Sequence, residues 1–393
     1  MKKTKQTILI SVLPVIALAG GLFGFTGTVS AEPPCDPDFV TPSENVFMVL
    51  PTGVDDTANI QCAFDAAVAF GSGAEVHLTA GDFHTAQIVV NDFYGDFTGE
   101  GLGESVIMNL PHLYVTPVDM YLDPPSANNP WPSLFAFVNG DFSISDLAIH
   151  ITGDEGTLGW TIFGIDPPVT ELAHAIVILG EEADVVINAV SIEGETASNS
   201  LYGYNLINGI LFEGFIGEYP PPLSGSFQVH NSSFRRMASG TPVANVSDAQ
   251  IKIYHNTFEE IFFGLDAADF VNSSFEFSNN KVSATWYGID LYNMFLSENV
   301  GSSYLVKNNV FRGAYGIVFE QAFGAGNECL LIGNNVQHAT DLGIYLGPNI
   351  TGCTVVGGRN KTNVLDEGIN NILTGVNNMG TGVGPTIKPF MRR

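Results

Sequence analysis

Ile251-Lys-Ile-Tyr-His-Asn256-Thr-Phe-Glu-Glu-Ile-Phe-Phe-Gly264-Leu-Asp266 is followed, 24 residues on, by Phe275-Glu-Phe-Ser-Asn-Asn280-Lys-Val-Ser-Ala-Thr-Trp-Tyr-Gly288-Ile-Asp290. Each stretch opens on the in–out alternation of a strand, turns at asparagine, continues through a second short apolar run and reaches a glycine. The same frame starts at Phe227, Tyr304 and Leu330, giving spacings of 24, 24, 29 and 26 residues, with a weaker start 24 residues later at Thr354. The turn asparagines are Asn231, Asn256, Asn279, Asn280, Asn308, Asn309, Asn334 and Asn335, and the glycines are Gly240, Gly264, Gly288, Gly316 and Gly343. Three short strands per repeat, with a tight polar bend after the first, describe one coil of a parallel β-helix. Such a coil cannot bury its apolar face alone, so successive coils must stack into one core. Asparagine tolerates left-handed backbone angles, and its amide can bond to the asparagine one coil away, so the column reads as a structural ladder.

Earlier coils start at Phe142 and Val185, 43 and 42 residues before the next start. Third strands at Leu134–Val138, His174–Ile176 and Gly209–Leu211 place the extra residues in one turn, between second and third strands. Three consecutive insertions carrying Trp131, Trp160, Tyr202 and Tyr204 therefore leave from the same edge. Long loops on one side of a regular scaffold often build function; shielding of the core is the alternative.

Residues 1–31 have the pattern of an export signal: Lys2, Lys3 and Lys5, an apolar stretch from Thr7 to Gly27, then Val29-Ser-Ala31. A β-helix domain is expected over 32–375, with a cap at 50–72, long-loop coils over 95–226, regular coils over 227–375 and a tail at 376–393. Removing the signal leaves eleven basic against 41 acidic residues, a formal charge of −30. That excludes nucleic acid and anionic membrane surfaces as partners, because both need basic patches. It also disfavours polyanionic glycans unless divalent cations bridge the repulsion. The four cysteines all lie in the exported part. Cys329 and Cys353 each stand just before a coil start, so stacking brings them about 4.8 Å apart, close enough for an inter-coil disulfide. Cys35 and Cys62 are expected to tie the N-terminal extension to the cap. No coiled-coil heptads occur, which leaves monomer and homotrimer open.

Asp55-Asp-Thr57-Ala-Asn-Ile60-Gln61-Cys-Ala63 precedes Gly71-Ser-Gly-Ala-Glu-Val76, and Gly99-Glu-Gly101-Leu-Gly103 follows. Asp56 or Thr57 can cap an amphipathic helix whose apolar face holds Ile60, Phe64, Ala67 and Val68. This arrangement resembles the N-terminal cap of the pectate-lyase-like right-handed β-helix superfamily, in which such a helix covers the open end of the coil stack. The resemblance spans roughly residues 45–375 and implies the fold, not a reaction. Asp55 and Asp56 serve as capping residues in that superfamily. Its members include lyases, hydrolases, epimerases, phage tailspikes and non-catalytic surface proteins. The polygalacturonase-like Asn-Thr-Asp, Gly-His-Gly and Arg-Ile-Lys signatures are absent, and Arg235-Arg236 lacks the surroundings of the pectate-lyase arginine pair. Activity has to be argued from a site.

In that superfamily the groove follows the third-strand sheet. Its outward positions are read as Leu211, Val243, Asp266, Asp290, Val318 and Tyr345, then Glu213, Asn245, Ala268, Tyr292, Glu320 and Gly347. Asp266 and Asp290 thus stack on neighbouring strands facing solvent, with Glu320 as a third carboxylate. Carboxylates this close suit acid/base glycoside hydrolysis, a calcium ion held between them, or a solvated acidic face. Trp286, Tyr292, Trp160 and Glu213 are candidate substrate contacts, with an inward core position the alternative for Trp286 and Tyr287. Lys252 and Lys307 point out from a different face, and only Arg312 could approach the acids, so hydrolysis is favoured over elimination. The eight histidines read as surface or turn residues, with His230 and His255 able to approach each other. Two functions are carried forward: a hydrolase of a neutral or weakly charged extracellular polysaccharide, and a non-catalytic surface protein binding glycan or calcium.

Overall fold

The computed structural model describes residues 35–110, 133–153, 174–197, 204–213, 222–292, 300–320, 326–357 and 362–378. The expected signal segment, the three insertions with Trp131, Trp160 and Tyr202, and residues 379–393 lie outside them. The described residues form one α-helix and 26 strands, and apart from one N-terminal hairpin (Val40–Ser43 with Val46–Val49) every pairing between strands is parallel. The fold is a right-handed parallel β-helix.

Coil starts fall where the repeat puts them. Val185 pairs with Phe142 on one side and Phe227 on the other, and Phe227, Ile251, Phe275 and Tyr304 continue the register. The register differs by one residue after that: Tyr304 stands opposite Cys329, and Leu305 opposite Leu330. Cys329 therefore occupies the inward start position itself, as a small apolar residue where the preceding coils have an aromatic or branched one. Cys353 sits in the same column, and the two form the inter-coil disulfide with a Cα–Cα separation of 4.5 Å. The second disulfide, Cys35–Cys62, ties the N-terminal segment to the helix.

That helix, Thr57–Phe70, covers the first coil with Ile60, Ala63, Phe64 and Ala67 buried. Its polar residues divide the work differently from the sequence reading. The Asp55 carboxylate accepts the Thr57 N–H at 2.9 Å, as a cap does. Asp56 is fully buried and makes no side-chain cap; its two carboxylate oxygens accept from the Thr52 and His84 backbone. The Gln61 amide donates to Val89 O at 2.8 Å and accepts from Val89 N at 3.1 Å, replacing a missing strand neighbour. The helix thus closes the sheet edge as well as the core.

Inside, one column of apolar side chains runs from Val40 to Val364. The turn asparagines separate into two files. Asn231, Asn279 and Asn308 take left-handed φ of 52–55°, with His255 in the same position at 58°. Asn256, Asn280, Asn309 and Asn334 turn inward and are buried. Each of these Oδ1 atoms accepts the backbone N–H of the preceding coil at 2.8–3.0 Å, and each Nδ2 donates to a carbonyl at the end of the preceding coil's first strand. The ladder is real and it bonds side chain to main chain as well as amide to amide. The marker glycines have a different reason: a Cβ on Gly288 would meet the Phe311 ring and the Gly316 carbonyl, and a Cβ on Gly264 would meet Val282 and the Gly288 carbonyl.

Three outcomes follow for stability. Asn280→Ala leaves the buried Asn256 N–H without its partner, costing about 1–3 kcal/mol. Asn279→Ala removes an exposed corner side chain and costs about 1 kcal/mol or less. Urea unfolding midpoints compare the two directly. Gly288→Ala lowers stability by about 1–3 kcal/mol through overpacking, read as a lower Tm.

Candidate functional site

The third-strand sheet runs through Ile88–Asn91, Ser133–Val138, His174–Leu179, Asn208–Glu213 and the start of Val243–Tyr254, then through the later parts of the long bent strands Thr257–Val271, Lys281–Tyr292, Val310–Phe319 and Asn335–Leu346. His174 stands opposite both Ser133 and Asn208, so the described ends of all three insertions lie between second and third strands, as the sequence indicates.

Asp266 and Asp290 are register partners on adjacent strands, with Val318 and Tyr345 continuing their file. In-register parallel neighbours stand about 4.8 Å apart. The expectation that both face open solvent does not hold: Asp290 is only 2% exposed and Asp266 is half-buried. In the strand Asp290 lies between Tyr287 and Tyr292, both buried, and it is close enough to the Tyr287 phenol to act on it electrostatically.

One coil earlier the outward positions differ from the reading. The register runs unbroken from Ser239 opposite Phe263 to Val243 opposite Ala267, so Pro242 does not interrupt it. Val243 therefore points into the core, Ala244 faces out beside Ala268 and Tyr292, and Asn245 turns the chain at φ 50°. Tyr292 belongs to that small apolar cluster rather than to an open binding face. Glu213 pairs with Ala244 at the end of its strand. Trp160 lies outside the described residues.

Before the marker glycines runs an outer aromatic file on the far side of the sheet from the core. Phe263, Tyr287, Tyr315 and Leu342 are successive register partners. They cluster with Phe262, Val318 and the half-buried Trp286, separately from the main core. Trp286 lies parallel to Phe262 with centroids 6.2 Å apart and meets Tyr315 edge-on at 5.4 Å. Tyr287 and Trp286 are thus outside the barrel, and the inward alternative is set aside. The marker glycine decides this: it takes the inward position, so the residue before it faces out.

The tyrosines of this face engage acids one coil on. Tyr287 Oη donates to Glu320 Oε1 at 3.4 Å, and Tyr345 Oη donates to Glu367 Oε2 at 2.8 Å. Burial, with Glu320 and Asp290 close by, pushes the Tyr287 phenol well above its ordinary range. Burial and the bond to Glu367 do the same for Tyr345, and burial with Asp341 for Tyr315. All three stay protonated and act as donors. Sequence reasoning left Tyr287 open between an exposed and an inward position and missed Tyr315 and Glu367; the constant offset from the marker glycines was the available signal for the two tyrosines.

Basic residues lie elsewhere. Arg235 and Arg236 are held by Glu193 and Glu260, and Lys307 by Glu276 on the first-strand face. Arg312 pairs with Ser283 and His338 on the second strands. Among the described residues, no group of three or more His, Cys, Asp or Glu side chains converges as a metal cluster, so the calcium alternative finds no ligand set of that kind. His174 also departs from the surface reading: it is 1% exposed, Asn208 Nδ2 lies 2.9 Å from its Nδ1, and burial lowers its pKa to about 3. His230 stacks on Tyr254 at 4.8 Å, and its pKa is lowered by burial and by nearby His255.

No family model and no curated protein matches the chain. Similar solved structures include the Azotobacter vinelandii mannuronan C-5 epimerase AlgE4 A-module, at 14% identity and a TM-score of 0.32, covering 85% of this chain and 95% of that one. Another is PfbA, a surface adhesin of Streptococcus pneumoniae, at 13% identity and a TM-score of 0.39, covering 85% and 92%. The Agl-KA catalytic domain matches at 13% identity and a TM-score of 0.39, covering 84% and 69%.

Proposed function

We propose that this chain is an exported β-helix protein that hydrolyses a neutral or weakly charged extracellular polysaccharide on its third-strand face. The observation that carries this reading is the in-register pair Asp266 and Asp290, beside Glu320 and along the outer aromatic file. Like charges on neighbouring in-register strands repel, which favours one proton shared by the pair. The protonated member then acts as general acid on the glycosidic oxygen. The ionised member attacks the anomeric carbon, and water then cleaves the glycosyl-enzyme with retention of configuration. Half-buried Trp286 supplies a ring edge against which a sugar can pack. No outward position of the pair's file or the next (266, 268, 290, 292, 318, 320, 345 and 347) is basic. That suits hydrolysis rather than elimination and disfavours uronate polymers. The two disulfides fit an oxidising compartment, and no helix among the described residues is long and apolar enough to cross a membrane.

A second reading has its own support. The burial of Asp290 and the apolar setting of Tyr292 also suit a non-catalytic surface that binds glycan without cutting it.

Reducing-end release from plant, algal and bacterial polysaccharides, with and without Ca²⁺, separates the two. Wild type is expected to release ends from one neutral glycan, and Asp266→Asn and Asp290→Asn each to lose at least about 100-fold of that rate. NMR of the first product is expected to show the retained anomer. Tight binding with no release from any glycan establishes the adhesive reading instead.

A further inference from the structure

Asp266, Asp290, Val318, Tyr345 and Leu365 are successive register partners along the outward side of the third-strand sheet. Their depths differ: Asp266 and Tyr345 are half-buried, whereas Asp290, Val318 and Leu365 are buried. Solvent therefore meets this file at Asp266 and again at Tyr345, three strand spacings or about 14 Å further on. Between them Asp290 and Val318 form a recessed floor. Tyr345 packs against the outer cluster that holds Val318, Leu342 and Leu365, so part of its ring is seated on apolar side chains and part is open. Its hydroxyl donates to Glu367 Oε2 at 2.8 Å, and Glu367 is exposed. Burial, the bond to Glu367 and the charges of Glu367 and Glu320 keep the phenol protonated, which fixes the direction of that bond.

We propose that Tyr345 and Glu367 form a sugar-binding subsite at the C-terminal end of this floor, taking one neutral sugar residue of a chain that lies across the strands. The subsite rests on the reading of this face as a glycan surface and is independent of hydrolysis. The open part of the ring supplies an apolar surface for the C–H groups of a sugar. A carboxylate has about four acceptor positions and the phenol occupies one, so Glu367 can also take hydroxyl protons from that sugar. The phenol places the carboxylate before the ligand arrives, which lowers the ordering cost of binding. The ligand class follows from the chemistry of the pair. A carboxylate repels a uronate or a sulfate and matches an uncharged sugar rich in hydroxyls. Tyr345 stands two strand spacings, about 10 Å, from Asp290, so it holds a part of the chain remote from the acid pair.

Three variants separate the contributions. Tyr345→Leu keeps an apolar side chain on the outer cluster but removes the ring and the hold on Glu367, and is expected to weaken binding of a neutral glycan about tenfold. Tyr345→Phe keeps the ring and frees Glu367, and Glu367→Gln keeps an uncharged acceptor. Each of these two is expected to weaken binding about threefold. A residue pair that only tied the last coils together would lower the unfolding midpoint in all three variants and leave the affinity untouched.

Titration calorimetry with soluble glucans, mannans and xylans reads the affinities, in the Asp290→Asn background wherever the wild type cleaves the glycan. Urea unfolding of each variant accompanies it, and KM and kcat are read where cleavage occurs. Cleavage with KM raised more than kcat is lowered in Tyr345→Leu supports the subsite within an enzyme. Binding without cleavage that the variants weaken supports the subsite and removes the hydrolase reading. Affinity and KM unchanged in Tyr345→Leu overturn the subsite and leave the hydrolase reading to its own result. Binding of none of these glycans by the wild type overturns the subsite as well.

Discussion

Stacking in register is the constraint on which everything else depends. A coil has no partner within itself for its strand edges, so every backbone group must find its neighbour one turn up or down. The corner between first and second strands is where the ladder would otherwise break, because the chain bends there and strand pairing stops. Buried Asn256, Asn280, Asn309 and Asn334 carry main-chain pairing through that bend by bonding the N–H of one coil and a strand-end carbonyl of another. Between second and third strands the register shifts in successive coil pairs, so the third strands set their own phase, with Asp266 facing Asp290 and Tyr287 facing Tyr315.

The two ends of the stack meet the same requirement differently. At the N-terminus the helix brings Gln61 as a substitute strand, and buried Asp56 ties the loop to the second-strand ladder. Near the other end Cys329–Cys353 bridges two coils in the core column, and Val376–Asn378 pairs with Thr362–Asp366 as the last described third strand. Short polar side chains are reserved throughout for places where main-chain groups lack partners.

The candidate site uses the outside of the same register. An inward glycine before the third strand lets neighbouring coils approach closely and turns the preceding residue outward. The outer aromatic file and the acids beyond it are therefore one consequence of the glycine column. Asp290 is buried and Asp266 half-buried rather than displayed, so charges there interact in a lower dielectric than they would on an open face.

The repeat, the asparagine column, the cap helix, both disulfides and the pairing of Asp266 with Asp290 were legible in the amino-acid order, because each follows from a fixed spacing and a parallel sheet has only one way to stack equal spacings. The positions misread, Cys329 and Val243, and the one left open, Tyr287, share a cause. At a coil start, beside a proline or next to a glycine, one residue decides which face a side chain takes, and alternation alone does not say where the phase begins. Burial was not legible either. Asp290, Tyr292 and His174 all have sequence contexts compatible with exposure, and their burial comes from packing in the folded chain. The sequence by itself determined the coil and which residues share a file; the tertiary structure decided how deep each file lies and which side chains reach across it, because depth and reach depend on contacts between residues 20 to 45 positions apart.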